Sequence, residues 1–136
     1  MSLTEVNKRE KDFHNKLQSN EEERFENGFY KALDNINDDF FDFLSNNSKD
    51  AEILDYGCGI GTFVEKVIKF SPKNISGIDI SEISINKAKK RAIDLNFKVN
   101  YNVDNCEKTN FSDKKFDIIY GSGILHHLEL EKSLNE

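Results

Sequence analysis

The segment ILDYGCGIGTF, residues 53–63, constrains this chain more than any other: a short apolar run leads straight into three glycines and then into a second apolar-periodic run, TFVEKVIKF. An apolar run of that length bounded by glycine reads as a buried strand, and the periodic run after the glycines reads as a helix. Glycine has no β-carbon, so it permits positive φ and lets backbone come close to a ligand. Gly57, Gly59 and Gly61 therefore predict a tight strand-to-helix turn beneath a bound, nucleotide-like molecule. Three glycines also suit plain close packing of a helix on a sheet, so the loop alone does not decide function.

The surrounding pattern sets the fold class. From Ala51 onward short apolar runs alternate with helical ones: AEILDYG, TFVEKVIKF, NISGIDI and SEISINKAKKRAIDL. A third strand follows at Val99, Tyr101 and Val103, and a fourth at FDIIYG. Such alternation gives parallel strands joined by crossover helices, an α/β doubly wound parallel sheet. Phe63, Val64, Val67 and Ile68 form the apolar stripe of the first crossover helix, with Pro72 just past its end. Ile85, Ala88, Ala92 and Leu95 form the stripe of the second, and Ser81 is placed to cap it. A last helix is expected to begin near His126.

Residues 1–50 read differently, as an N-terminal helical cap ahead of an α/β core over residues 51–136. Leu3, Val6, Phe13 and Leu17 recur near a helical period, as do Phe25, Phe29, Leu33 and Ile36, with charged residues on the other faces. Ser19 or Asn20 is placed to cap the second of these helices, which DDFFDFLSNN continues or follows. The formal charge of -6 repels a phosphate backbone, so nucleic acid is not the expected partner. No window approaches the roughly 20 apolar residues of a membrane span, and MSLTEVNKRE lacks an apolar signal core, so a cytoplasmic protein without a membrane partner is expected. Cys58 and Cys106, two cysteines far apart, read as reduced thiols, Cys58 as a small filler of the loop.

Charge narrows the ligand. The spacing G-x-G-x-G differs from the dinucleotide fingerprint G-x-G-x-x-G, and Asp55 stands two residues before the first glycine. A carboxylate there opposes a pyrophosphate and suits a ligand carrying an ammonium and a sulfonium. Asp79 ends the next strand, close to the roughly 20-residue offset of an acid that grips ribose hydroxyls. Ile80 is then placed to lay an apolar surface on an adenine, and Asp104, after the third strand, to accept its amino hydrogens. Asn105 and Cys106 offer backbone contacts beside it. Asp104 has a second reading, as the cap of a turn in DNCE.

Taken in order, these segments resemble a known family. ILDYGCGIGTF is similar to the first motif of class I S-adenosylmethionine-dependent methyltransferases, GIDIS to their ribose-acid segment, NVDNCEKTNF to their adenine segment, and FDIIYGSGILHHL to their fourth-strand motif. The resemblance spans about residues 51–130 and implies S-adenosyl-L-methionine as cofactor. It implies Asp55, Gly57 and Gly59 at the methionyl end, Asp79 at the ribose, and Ile80 and Asp104 at the adenine, with Cys58, Gly61 and Asn105 also counted among the cofactor-binding residues. Gly121 would then lie near the reactive end; His126 and His127 follow it, and either one of them acts as a base or touches the acceptor, or one packs at a helix start while the other is solvated. A helical segment before the first strand often covers the cofactor in such proteins, which brings Arg24 or Tyr30 toward the acceptor pocket.

A small-molecule acceptor is expected from the acidic charge, and no metal site, since adjacent histidines on a helix diverge. Family domains continue past the fourth strand, so the chain reads as truncated there, with an open strand edge able to pair with a second copy in a homodimer. Two rivals remain at this level: a non-catalytic S-adenosylmethionine-binding or regulatory module, and a nicotinamide-binding oxidoreductase.

Overall fold

Strands β1 (Glu52–Tyr56), β2 (Asn74–Asp79), β3 (Asn100–Val103) and β4 (Ile118–Tyr120) form one parallel sheet in the order β3-β2-β1-β4. The computed structural model describes residues 3–19 and 34–136, with side chains over 3–16 and 39–136. The central strands β1 and β2 are buried almost along their length, as parallel strands covered on both faces must be, and their sequences are correspondingly apolar. The edge strands are more exposed: Val103 on β3 and Ile119 on β4 face outward. Among the described residues no helix is long and apolar enough to cross a membrane.

Among the described residues the helices are α1 (Glu5–Ser19), α2 (Asp34–Asn47), α3 (Val64–Val67), α4 (Glu82–Asp94) and α5 (Leu130–Asn135). The first crossover helix is shorter than its sequence pattern suggests. It turns to a 3-10 helix over Ile68–Phe70 and stops at Ser71, which is left-handed (φ 58°) and donates its N–H to the Ile68 carbonyl before Pro72. Its stripe holds: Val64 and Val67 are buried, with Phe63 and Ile68 packed beside them. Helix α4 starts where expected, with the Ser81 hydroxyl accepting the Ser84 N–H at 3.1 Å. Ile85, Ala88 and Ala92 are buried, but Leu95 is 44% exposed. Leu95 sits at the helix end, where the chain turns through Asn96 (φ 57°), and Phe97 packs on the core instead. The last helix is also displaced: a 3-10 turn covers Leu125–His127, extended Leu128 interrupts it, and α5 begins only at Leu130.

The apolar stripe expected of the first helix is overturned. Val6 and Phe13 are 45% and 55% exposed, and the residues turned inward are Asn7, Glu10, Lys11, His14 and Asn15. Those positions follow the i, i+3, i+4, i+7 pattern of one helix face, and that face is polar. The reason is what it meets: α1 lies against α4 and the loops that follow β2, β3 and β4, all rich in polar groups. Ser19 is the last residue of α1; its side chain, like those of Leu17 and Ile36, lies outside the described residues, as do Asn20, Arg24, Phe25, Phe29, Tyr30 and Leu33. DDFFDFLSNN forms the body of α2, whose Phe41 stacks on Phe63 (centroids 5.8 Å) and whose Phe40 meets Tyr120 edge-on at 5.7 Å.

Candidate functional site

Parallel strands all end on one side, so the loops that follow them meet at a single edge. At that edge the three loop glycines adopt φ values of 74° (Gly57), 53° (Gly59) and 77° (Gly61), a region β-carbon-bearing residues rarely enter. Their surroundings separate their roles. A β-carbon on Gly61 would collide with Tyr101 and press on Ala88, so Gly61 lets β3 and α4 close on the loop. On Gly57 it would meet Ile124 at 2.5 Å, and on Gly121 it would meet Ile124 and the Tyr56 carbonyl, each at 2.8 Å. Ile124 therefore plugs the space between the first glycine and the fourth-strand loop. Only at Gly59, among the three, does the backbone face open space.

Asp79 ties this loop to the next one. One carboxylate oxygen accepts the Gly59 N–H at 2.9 Å, and the other accepts the Ser81 N–H at 2.8 Å. Its side chain thus fixes both the bare stretch of backbone and the start of α4, and each oxygen keeps a lone pair for another donor. Ile80, partly exposed, follows it.

Asp55 is the unusual charge. It is 3% exposed, and among the described residues its Oδ2 has no hydrogen-bond partner. Its pKa is raised from 3.8 to about 7, chiefly by burial, with the nearby Tyr120 hydroxyl opposing the rise and the charge of Asp79 adding to it. Tyr120's hydroxyl is buried without a well-formed hydrogen bond, so it helps the carboxylate without satisfying it. Register explains the arrangement: Tyr120, Asp55, Gly77 and Tyr101 lie in one row across β4, β1, β2 and β3. Gly77 makes room in that row, because a β-carbon there would meet the Tyr101 ring at 2.7 Å and the Cys58 sulfur at 3.1 Å.

Beyond β3, Asp104 is buried and committed to its own loop. It accepts the Asn105 N–H at 2.9 Å, the Asn110 side-chain amide at 3.1 Å and the Asn110 N–H at 3.2 Å. Asn105 donates to the Asn7 side-chain oxygen at 3.0 Å, Asn7 donates to Glu107 at 3.0 Å, and Glu107 accepts the Glu129 N–H at 2.9 Å. This buried chain joins α1, the loop after β3 and the start of α5. Cys58 and Cys106 are buried free thiols, and desolvation holds both well above the usual thiol pKa, so neither is a nucleophile at neutral pH. After β4, His126 is exposed, while His127 is half-buried with Nδ1 2.9 Å from a Glu10 oxygen.

Residues 53–136 match the family model described as a methyltransferase domain. The chain belongs to the methyltransferase-domain family. The matched stretch begins inside β1 and includes the C-terminal end of every strand in the sheet. Among curated relatives, phosphoethanolamine N-methyltransferase 1 of Arabidopsis thaliana is 32% identical over 83 residues, covering 61% of this chain and 17% of that protein. Ubiquinone biosynthesis O-methyltransferase of Hydrogenovibrio crunogenus is 30% identical over 106 residues, covering 76% of this chain and 44% of that one. A solved S-adenosylmethionine-dependent methyltransferase from Aquifex aeolicus superposes with a TM-score of 0.62 at 26% identity, covering 65% of this chain and 50% of that structure. This methyltransferase domain thus spans less than half the length of these curated relatives.

Several features of the methyltransferase domain were not visible in its sequence. Tyr120, Tyr101 and Gly77 join Asp55 only through strand register, which the sequence does not print. Asn7, Glu10, His14 and Glu107 come to the same edge from opposite ends of the chain, and their one local signal was the i, i+3, i+7 spacing of Asn7, Glu10 and His14 on a helix.

Proposed function

We propose that this domain binds S-adenosyl-L-methionine over the glycine loop and that the protein transfers its methyl group to a small-molecule acceptor. The observation that carries the reading is Asp55: a buried carboxylate with an unpartnered oxygen, beside bare backbone, calls for a cationic ligand. Asp55 would hold the ammonium of the methionyl end, Gly57 and Gly59 would lie against that end, and the free lone pairs of Asp79 would take ribose hydroxyls. Ile80 would cover one face of the adenine. Asp104 and Asn105 would shape the adenine end chiefly by holding their loop, since their side-chain groups already serve it.

When bound, the cofactor supplies a methyl group made electrophilic by the sulfonium, with a neutral sulfide as leaving group. The chain's own work is to orient that group and exclude water, which contributes up to about 7–11 kcal/mol when alignment is good. Helix α1 supports the reading of residues 1–50 as a cap, because it lies against α4 and the loops at the ends of β2, β3 and β4. Gly121 and His127 stand on the β4 side of the same edge, where an acceptor would approach; His127 would contact it or accept its proton, with exposed His126 beside it. Relatives named for phosphoethanolamine and for ubiquinone biosynthesis support a small acceptor. The buried reduced thiols suit a cytoplasmic setting, and the exposed β4 edge suits a homodimer.

Calorimetry with S-adenosylmethionine, its demethylated product and NAD tests the cofactor. The first two are expected to bind and NAD is not; NAD binding without the others would overturn the proposal. The same titration carries a pH signature. Asp55 has its pKa raised to about 7, so below that pH the empty site holds a neutral acid, and a cation must drive its proton off. Affinity is expected to fall by up to about tenfold per pH unit on going below 7 and to level off above it. A flat profile from pH 5.5 to 8 would remove Asp55 from the ammonium site.

Gly59→Ala separates the loop's ligand role from its packing role. Open space surrounds a β-carbon at this position, so the fold loses only about 1–2 kcal/mol for the left-handed backbone. The methyl group stands where the ligand would meet backbone, so cofactor affinity is expected to drop about tenfold or more. A melting curve and a binding isotherm on the same sample check both halves.

A further inference from the structure

Glu10 and His14 are one helical turn apart on α1, and His127 follows β4 in the 3-10 turn Leu125–His127. One ligand atom from each, a Glu10 carboxylate oxygen and one ring nitrogen of each histidine, lies within 4.8 Å of the other two. His127 Nδ1 is 2.9 Å and His14 Nε2 3.9 Å from the same Glu10 oxygen, and the two imidazoles meet edge-on with centroids 4.9 Å apart. All three residues are half-buried. We propose that Glu10, His14 and His127 form a binding site for a divalent first-row transition metal, distinct from the glycine-loop residues of the cofactor proposal.

The support comes from how the three groups are held. An i, i+4 pair puts two donors on one helix face. That face is pinned on either side: Asn7 bonds to Asn105 and Glu107, and Asn15 accepts the Ser81 hydroxyl at 2.6 Å. The third donor stands on a short turn whose neighbour, Ile124, is wedged between Gly57 and Gly121. Two imidazoles and one carboxylate are a donor set suited to zinc, cobalt, nickel or ferrous iron, and less to magnesium or calcium, which favour oxygen throughout. Donors around such an ion sit at about 2.0–2.2 Å from it, so the present spread closes by small side-chain rotations. Three protein donors leave coordination positions for water or for an atom of a bound molecule. The polar inward face of α1 finds a purpose here: a helix that clamps an ion cannot present Val6 and Phe13 to the core.

The test uses the full chain with Zn2+ alone by calorimetry and Co2+ alone by absorption. The expected result is one ion per chain, a weak visible cobalt spectrum without the intense near-ultraviolet band of thiolate ligation, and a higher melting temperature with Zn2+. His14→Ala and the nearly isosteric Glu10→Gln should each weaken binding at least about tenfold, with unchanged far-ultraviolet circular dichroism in Glu10→Gln confirming that its fold is intact. Absence of stoichiometric binding, parent-like affinity in a folded Glu10→Gln, or a thiolate band placing the ion on Cys58 or Cys106 would overturn the site.

Discussion

Asp55→Asn is expected to lower affinity for S-adenosylmethionine by about a hundredfold or more while raising the melting temperature of the ligand-free protein at pH 8. The two effects share one cause. The Asp55 carboxylate is buried, and one of its oxygens has no hydrogen-bond partner among the described residues, so its ionisation is costly in the empty protein. Its pKa is raised from 3.8 to about 7 by that burial, which means the folded state holds a proton that the unfolded chain releases. Stability from this group is therefore complete below about pH 4 and is lost as pH rises through 7. Asparagine stays neutral throughout, and its amide can donate toward the Tyr120 hydroxyl. The melting-temperature gain should accordingly be largest at pH 8 and shrink toward pH 5. Binding moves the other way, because removing one partner of a buried ion pair costs about 3–5 kcal/mol, or roughly two to three and a half orders of magnitude in affinity. Paired melting curves and titrations at the two pH values decide it; a variant that binds as the parent does would remove the charge argument for the cofactor.

Asp79→Ala is expected to damage both stability and binding. In the folded chain this carboxylate accepts the Gly59 and Ser81 backbone N–H groups, so it closes the glycine loop and orders the first turn of α4. Hydrogen bonds to a charged acceptor contribute about 1.5–3 kcal/mol each, and the Ser81 N–H belongs to a residue that is itself buried. Two such bonds set an upper bound of about 3–6 kcal/mol, and because Asp79 is only partly buried a loss of about 2–4 kcal/mol in unfolding free energy is expected from denaturant titration. Cofactor affinity should fall at least about a hundredfold, since the ribose acceptor and the loop's anchor disappear together. Asp79→Asn keeps one acceptor oxygen and should recover part of the stability but little of the binding. A stable Asp79→Ala variant with parent-like affinity would place the ribose elsewhere.

These two acids show how differently the sequence spoke. Both were legible as candidates, since Asp55 stands two residues before the first glycine and Asp79 ends the next strand near the roughly 20-residue offset of a ribose acid. Their environments were not. Asp79 turned out to be partnered by backbone, and Asp55 to be stranded beside Tyr120, because the neighbours of a strand residue are set by register with chains far away in sequence. The glycines divide in the same way. Three were legible as a turn, yet only the packing of Tyr101 and Ile124 separated Gly61 and Gly57, which make room for side chains, from Gly59, which faces open space.

Alternation of apolar strands with amphipathic helices determined the parallel α/β sheet and the single edge where its loops gather, because periodicity is local physics, whereas the order β3-β2-β1-β4 was decided by tertiary pairing. Ser81 as a helix cap was likewise local chemistry. The tertiary structure alone decided which face of α1 turns inward. Hydrophobic period put Val6 and Phe13 there, but the partner surface is a set of polar loops, and buried polar groups must be paired, so Asn7, Glu10 and His14 took the inner face and brought His127 within reach.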